Sequence, residues 1–128
     1  MAPKVAVINS NEDLIELLRI VFERAGLDTV AAHVPRIKRG SEDLISLVAL
    51  HEPAVIVYDI APPYEENWKL LRMLQNHQAM KGRRWVLTTT NKRALDELVG
   101  ETGSFEIIGK PYDVDRVTTA VLKAISER

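Results

Sequence analysis

Three apolar runs of this chain each end on a polar residue of a different kind. Val55-Ile56-Val57-Tyr58 ends on Asp59, Trp85-Val86-Leu87 ends on Thr88, and Phe105-Glu106-Ile107-Ile108-Gly109 ends on Lys110, with Pro111 after it. In an open parallel sheet, ligands and chemistry collect at the carboxyl ends of the strands. A carboxylate, a hydroxyl and an ammonium converging there have the chemistry to take up and hold a phosphoryl group. The first run, Val5-Ala6-Val7-Ile8, ends instead on Asn9-Ser10, where such a site would need acids to hold a metal.

The elements that must position these residues follow from two alternating periodicities. Short runs rich in Val and Ile predict buried strands over Val5–Ile8, Thr29–Ala32, Val55–Tyr58, Trp85–Thr88 and Phe105–Ile108. Between them the spacing is helical. Asp13 to Ala25 carries Leu14, Leu17, Leu18, Val21, Phe22 and Ala25 on one stripe, with Asn11 as N-cap and Gly26 as the stop. Further helices are predicted over about Glu42–His51, Glu65–Asn76 and Asn91–Val99, and from about Asp113 to the end of the chain. Strands alternating with helices imply a parallel sheet covered on both faces by right-handed crossovers. The segment Ala32 to Ser41, which carries Arg36, Lys38 and Arg39, is longer than an ordinary strand-to-helix loop. That basic cluster reads as a solvated face, or as a partner for the segment's own acids Glu42 and Asp43.

At 128 residues the chain is the size of one domain, residues 1–128, and no effector domain is expected. A net charge of −1 gives no global electrostatic case for nucleic acid or a membrane surface. There is no cysteine, hence no disulfide framework or thiolate metal site. No signal peptide or membrane span is legible, so a cytoplasmic location is expected. No G-x-G-x-x-G, P-loop, G-x-S-x-G or zinc motif occurs, so a small-molecule enzyme is not expected and neither is an organic cofactor. His33, His51 and His77 are scattered and read as surface or helix-end residues.

The chain resembles the receiver domain of two-component response regulators. The resemblance rests on Pro53-Ala54-Val55-Ile56-Val57-Tyr58-Asp59-Ile60-Ala61-Pro62-Pro63 and on Thr102-Gly103-Ser104-Phe105-Glu106-Ile107-Ile108-Gly109-Lys110-Pro111-Tyr112. The separations of Asp59, Thr88 and Lys110 agree with it. It implies an α/β, flavodoxin-like, doubly wound sheet of five parallel strands in the order 2-1-3-4-5, with helices on both faces. It also implies a phosphorelay module, with a histidine kinase or phosphotransfer protein as donor to Asp59. Lys110 would pair with a phosphoryl oxygen, and Thr88 and the Thr89 amide would bind others. A downstream protein would dock on the face made by the fourth helix, fifth strand and fifth helix, where Tyr112 lies and where a homodimer is also compatible. The Lys110-Pro111 bond is expected to be cis.

The chain departs from the family at three places. Asn9 and Ser10 replace the usual acids, so Mg²⁺ would rest on Asp59, the Ala61 carbonyl and the neutral oxygens of Asn9 and Ser10, a weak or absent site. Glu12 is expected to start the first helix and point away from the pocket. Ile107 stands where an aromatic switch residue often lies. Tyr64 stands where the loop usually has Gly, so that loop is expected to differ in shape. Two readings stay open: a stand-alone receiver phosphorylated on Asp59 with weak metal dependence, and a phosphorylation-independent pseudo-receiver that binds partners through a fixed surface. Trp68 and Trp85 read as core or half-core; Tyr64 and Trp68, if both exposed, would form a partner patch.

Overall fold

The computed structural model describes residues 2–89, 91–99, 106–109 and 114–126, the last strand by its backbone alone. In chain order the elements are β1 (Lys4–Asn9), α1 (Glu12–Arg24), β2 (Asp28–His33), α2 (Val34–Lys38), α3 (Leu44–His51), β3 (Val55–Ile60), α4 (Tyr64–Gln75), a 3₁₀ turn (Gln78–Met80), β4 (Arg84–Thr89), α5 (Lys92–Val99), β5 (Glu106–Gly109) and α6 (Val114–Ser126). The strands pair in the order β2-β1-β3-β4-β5, and every pairing is parallel. This is the doubly wound order that the resemblance implies.

Alternation along the strands sends successive side chains to opposite faces, and two cores result. Val5, Val7, Val55, Val57 and Val86 meet Ile15, Leu18 and Phe22 of α1 and Val117, Ala120 and Val121 of α6. Ala6, Ile8, Ile56, Tyr58, Ile60 and Leu87 meet Val34, Leu44, Val48, Leu71, Leu74 and Leu95 from α2 to α5. Phe22 and Leu95 are fully buried, so truncating either to Ala would cost roughly 2–5 kcal/mol.

Local chemistry sets the helix ends. Asn11 Oδ1 accepts from the amides of Asp13 and Leu14 at 2.9 and 3.2 Å, and Glu12 and Asp13 favour the positive end of the α1 dipole. Gly26, at φ 87°, supplies the left-handed turn that ends the segment. α3 begins at Leu44, not Glu42. Asp43 Oδ1 accepts the Ser46 amide at 3.2 Å and so caps the helix, while the Glu42 carboxylate is held by the His33 amide at 2.8 Å.

One further expectation needs correction. The inward stripe of α1 is Ile15, Leu18 and Phe22; Leu17 is exposed, and Ala25 is the C-cap. Tyr64 and Trp68 are half-buried against the core beneath α3 and α4, in keeping with the half-core reading of Trp68, and the condition for an aromatic patch is not met. Tyr64 is the first residue of α4, after Pro63 as N-cap, so no left-handed residue is needed there. The Pro62–Pro63 peptide is cis. Lys110-Pro111, Tyr112 and the side chain of Ile107 lie outside the described residues. No described helix is long and apolar enough to cross a membrane.

Candidate functional site

β3 runs two residues beyond its apolar stretch, and its register with β4 sets Asp59 beside Thr88 and Ile60 beside Thr89. Asp59 is 5% exposed and Thr88 is 1% exposed. The Thr88 hydroxyl donates to Asp59 Oδ1 at 2.7 Å, within the distances of a charge-assisted hydrogen bond. Thr89, also buried, donates its hydroxyl to the Ile60 carbonyl at 2.9 Å. β5 extends the same edge: Thr88 pairs with Ile108 and Thr89 with Gly109, the residue before Lys110. The Lys110 side chain and its relation to Asp59 lie outside the described residues.

Three other oxygens at this edge are engaged within the protein. Asn9 is buried, and its Oδ1 accepts the Asn11 amide at 2.9 Å, which holds the turn from β1 into α1. Ser10 is exposed, and its carbonyl is 2.9 Å from His33 Nε2. The Ala61 carbonyl accepts from Asn67 Nδ2 at 2.6 Å. Glu12 begins α1 and turns toward α2, where its carboxylate meets Arg36 at 2.9 Å and His33 Nδ1 at 3.9 Å. Among the described residues no group of three His, Cys, Asp or Glu side chains is placed to hold a metal ion.

Asp59 opens on a cleft of about 240 Å³ walled by Ser10, Val34, Pro35, Lys38, Tyr58, Ala61, Pro62 and Asn67. Tyr58 is 1% exposed and packs at 6.3 Å from Trp85, ring to ring. Burial, and secondly the charge of Asp59, raises its phenol well above the usual tyrosine range, so it stays protonated.

Asn67 and α2 escaped the sequence reading. Asn67 lies on the inward stripe of α4 with Leu71 and Leu74; a polar residue on an apolar stripe was the available signal. For α2 the signal was the length of the segment 32–41. Pro35 is tolerated in its first turn, and Val34 anchors it in the core at 7% exposure. The basic cluster divides: Arg36 pairs with Glu12 and, at 3.4 Å, with Glu42, one of the segment's own acids, whereas Lys38 faces the cleft.

No family model matches the chain. In sequence it is 25% identical over 125 residues to the transcriptional regulatory protein GltR of Pseudomonas aeruginosa, covering 97% of this chain and 49% of that protein. It is also 25% identical over 129 residues to the alkaline phosphatase synthesis transcriptional regulatory protein PhoP of Bacillus subtilis, covering all of this chain and 50% of that one. In structure it matches the receiver domain of Francisella response regulator 1452 with a TM-score of 0.75 at 21% identity, over 98% of each chain. Fold and likenesses agree: the chain has the fold of response-regulator receiver domains and is similar in sequence to proteins of two-component systems. The chain spans about half the length of the curated relatives it matches.

Proposed function

We propose that residues 1–128 act as a receiver unit in phosphorelay signal transduction, with Asp59 as the phosphoacceptor and a degenerate Mg²⁺ site. The observation that carries this reading is the buried Asp59 carboxylate at the carboxyl edge of β3, bonded to Thr88 and facing an open cleft. A histidine kinase or phosphotransfer protein is the proposed donor. The acyl phosphate carries roughly −2 charge and several strong acceptor oxygens. Lys110 would pair with one, and the Thr88 hydroxyl would leave the carboxylate for another, with the Thr89 amide adding a donor. Displacement of Thr88 pulls the loop from β4 into α5, and so biases the α5-β5-α6 face on which a protein target would dock. No turnover of a small molecule belongs to this reading.

Mg²⁺, which receiver domains generally bind at this position, does not fit the donors present. A hard divalent ion wants several oxygens, with carboxylates among them. Asp59 is one carboxylate, and the oxygens of Asn9 and Ala61 already accept hydrogen bonds from Asn11 and Asn67. The same observation favours a second reading, in which the site is locked, Asp59 is not phosphorylated, and the domain binds partners through a fixed surface.

Incubation of the full chain with acetyl phosphate, followed by intact mass, separates the two. An adduct of about 80 Da that is lost in Asp59→Asn supports phosphotransfer. No adduct at saturating donor, with partner binding unchanged in Asp59→Asn, supports the fixed-surface reading.

A further inference from the structure

The observation lies in α2. The helix is held at three points. Val34 sits in the core, Arg36 bridges Glu12 and Glu42, and the amides of Ser41 and Glu42 close onto the Arg36 carbonyl at 2.9 and 3.2 Å. A segment so fixed determines where its remaining cation can reach. Lys38 lines the cleft that contains Asp59, and it makes no ion pair or hydrogen bond with a described residue. Two buried polar atoms of cleft-lining residues, Tyr58 Oη and Asn67 Oδ1, likewise have no partner among the described residues. The rest of the helix thus leaves one cation, Lys38, beside the cleft that contains Asp59.

We propose that Lys38 supplies from α2 the positive charge at the phosphoryl site that a divalent ion would otherwise bring, so that transfer to Asp59 proceeds without metal. This rests on the reading of Asp59 as phosphoacceptor. In the step, an Asp59 carboxylate oxygen attacks the phosphorus of a phosphohistidine or an acyl phosphate. The new O–P bond forms as the donor's N–P or O–P bond breaks, and the bonding pair departs on the donor's nitrogen or oxygen, which takes a proton from solvent as its basicity requires. Lys38 stays protonated throughout and pairs with the phosphoryl oxygens. Anion meets anion in this reaction, so a cation against the incoming oxygens lowers the barrier, and more so in a cleft than in open water. Asn67 has a complementary part: by bonding the Ala61 carbonyl it satisfies the oxygen that a metal would have used.

The test follows labelling of the full-length chain by acetyl phosphate over time, by intact mass, in EDTA and in Mg²⁺. It uses the wild type, Lys38→Ala, Lys38→Gln, Lys38→Arg and Arg39→Ala, with thermal melts to confirm folding. Arg39 is the neighbouring cation that does not line the cleft. The wild type is expected to label in EDTA within about twofold of its rate in Mg²⁺. Lys38→Ala and Lys38→Gln should each slow labelling about tenfold, Lys38→Arg should retain most of the rate, and Arg39→Ala should match the wild type. Wild-type labelling abolished by EDTA, or undiminished labelling in both Lys38→Ala and Lys38→Gln, overturns the role of Lys38 while leaving Asp59 as acceptor. No labelling of any protein in either buffer overturns the acceptor reading and this inference with it.

Discussion

Thr88 and Asp59 come from strands 29 residues apart in sequence, yet the hydroxyl of one donates to the carboxylate of the other at 2.7 Å in a buried setting. Parallel register between β3 and β4 makes them direct neighbours. Thr88→Val keeps the shape and removes the donor. It should destabilise the domain by about 1.5–3 kcal/mol, the range for a hydrogen bond to a charged group. Thr88→Ser should recover most of that. Urea unfolding of the two variants checks it, and equal stability of Thr88→Val and the wild type would show the bond to be energetically idle.

Restoring acids should restore the metal. Asn9→Asp keeps an oxygen acceptor for the Asn11 amide, and Ser10→Asp adds a carboxylate at an exposed position. The double variant sets three carboxylates close together, so without metal it should be less stable than the wild type. With Mg²⁺ its melting temperature should rise with ion concentration as linkage requires, while that of the wild type should stay flat. Thermal melts over a Mg²⁺ series read this directly. A wild-type response as large as the double variant's would mean that the neutral oxygens suffice.

The cap of α3 should respond to pH. The hydrogen bond from the Ser46 hydroxyl at 2.8 Å, and then that from the Ser46 amide, holds the Asp43 carboxyl below the ordinary aspartate value of 3.8. A carboxyl depressed in the folded state stabilises it at pH above the unfolded-state value. That contribution is lost as pH falls through the folded-state value, because the proton then binds both states. The stability gap between the wild type and Asp43→Ala should therefore be full at neutral pH and narrow at pH below 3.8. Urea unfolding of both proteins at neutral and acid pH measures the gap; a gap independent of pH would remove the carboxylate from the cap.

The site divides along the same line as the fold. Asp59 and Thr88 were legible because a strand announces itself by its apolar run, and whatever polar residue closes the run must stand at the sheet's edge. The N-cap at Asn11 and the turn at Gly26 were legible for an equally local reason: each acts within a few residues of itself. The start of α3 was misread because Glu42 looks like a helix-start acid until the His33 amide, from the end of β2, claims it.

What the sequence determined by itself was the order of strands and helices, the placing of Asp59 and Thr88 at one edge of the sheet, and the presence of Asn9 and Ser10 where the resemblance leads one to expect acids. Only the tertiary structure decided what those replacements do. It turned Asn9 Oδ1 onto the Asn11 amide, put the Asn67 amide against Ala61, folded the segment after β2 into α2, and set Lys38 at the wall of the cleft that holds Asp59 while tying Arg36 to Glu12. The physical reason is range. Periodicity and capping depend on neighbours along the chain, but a hydrogen bond or an ion pair between distant segments exists only once the packing of the sheet and its helices has fixed where each side chain can reach.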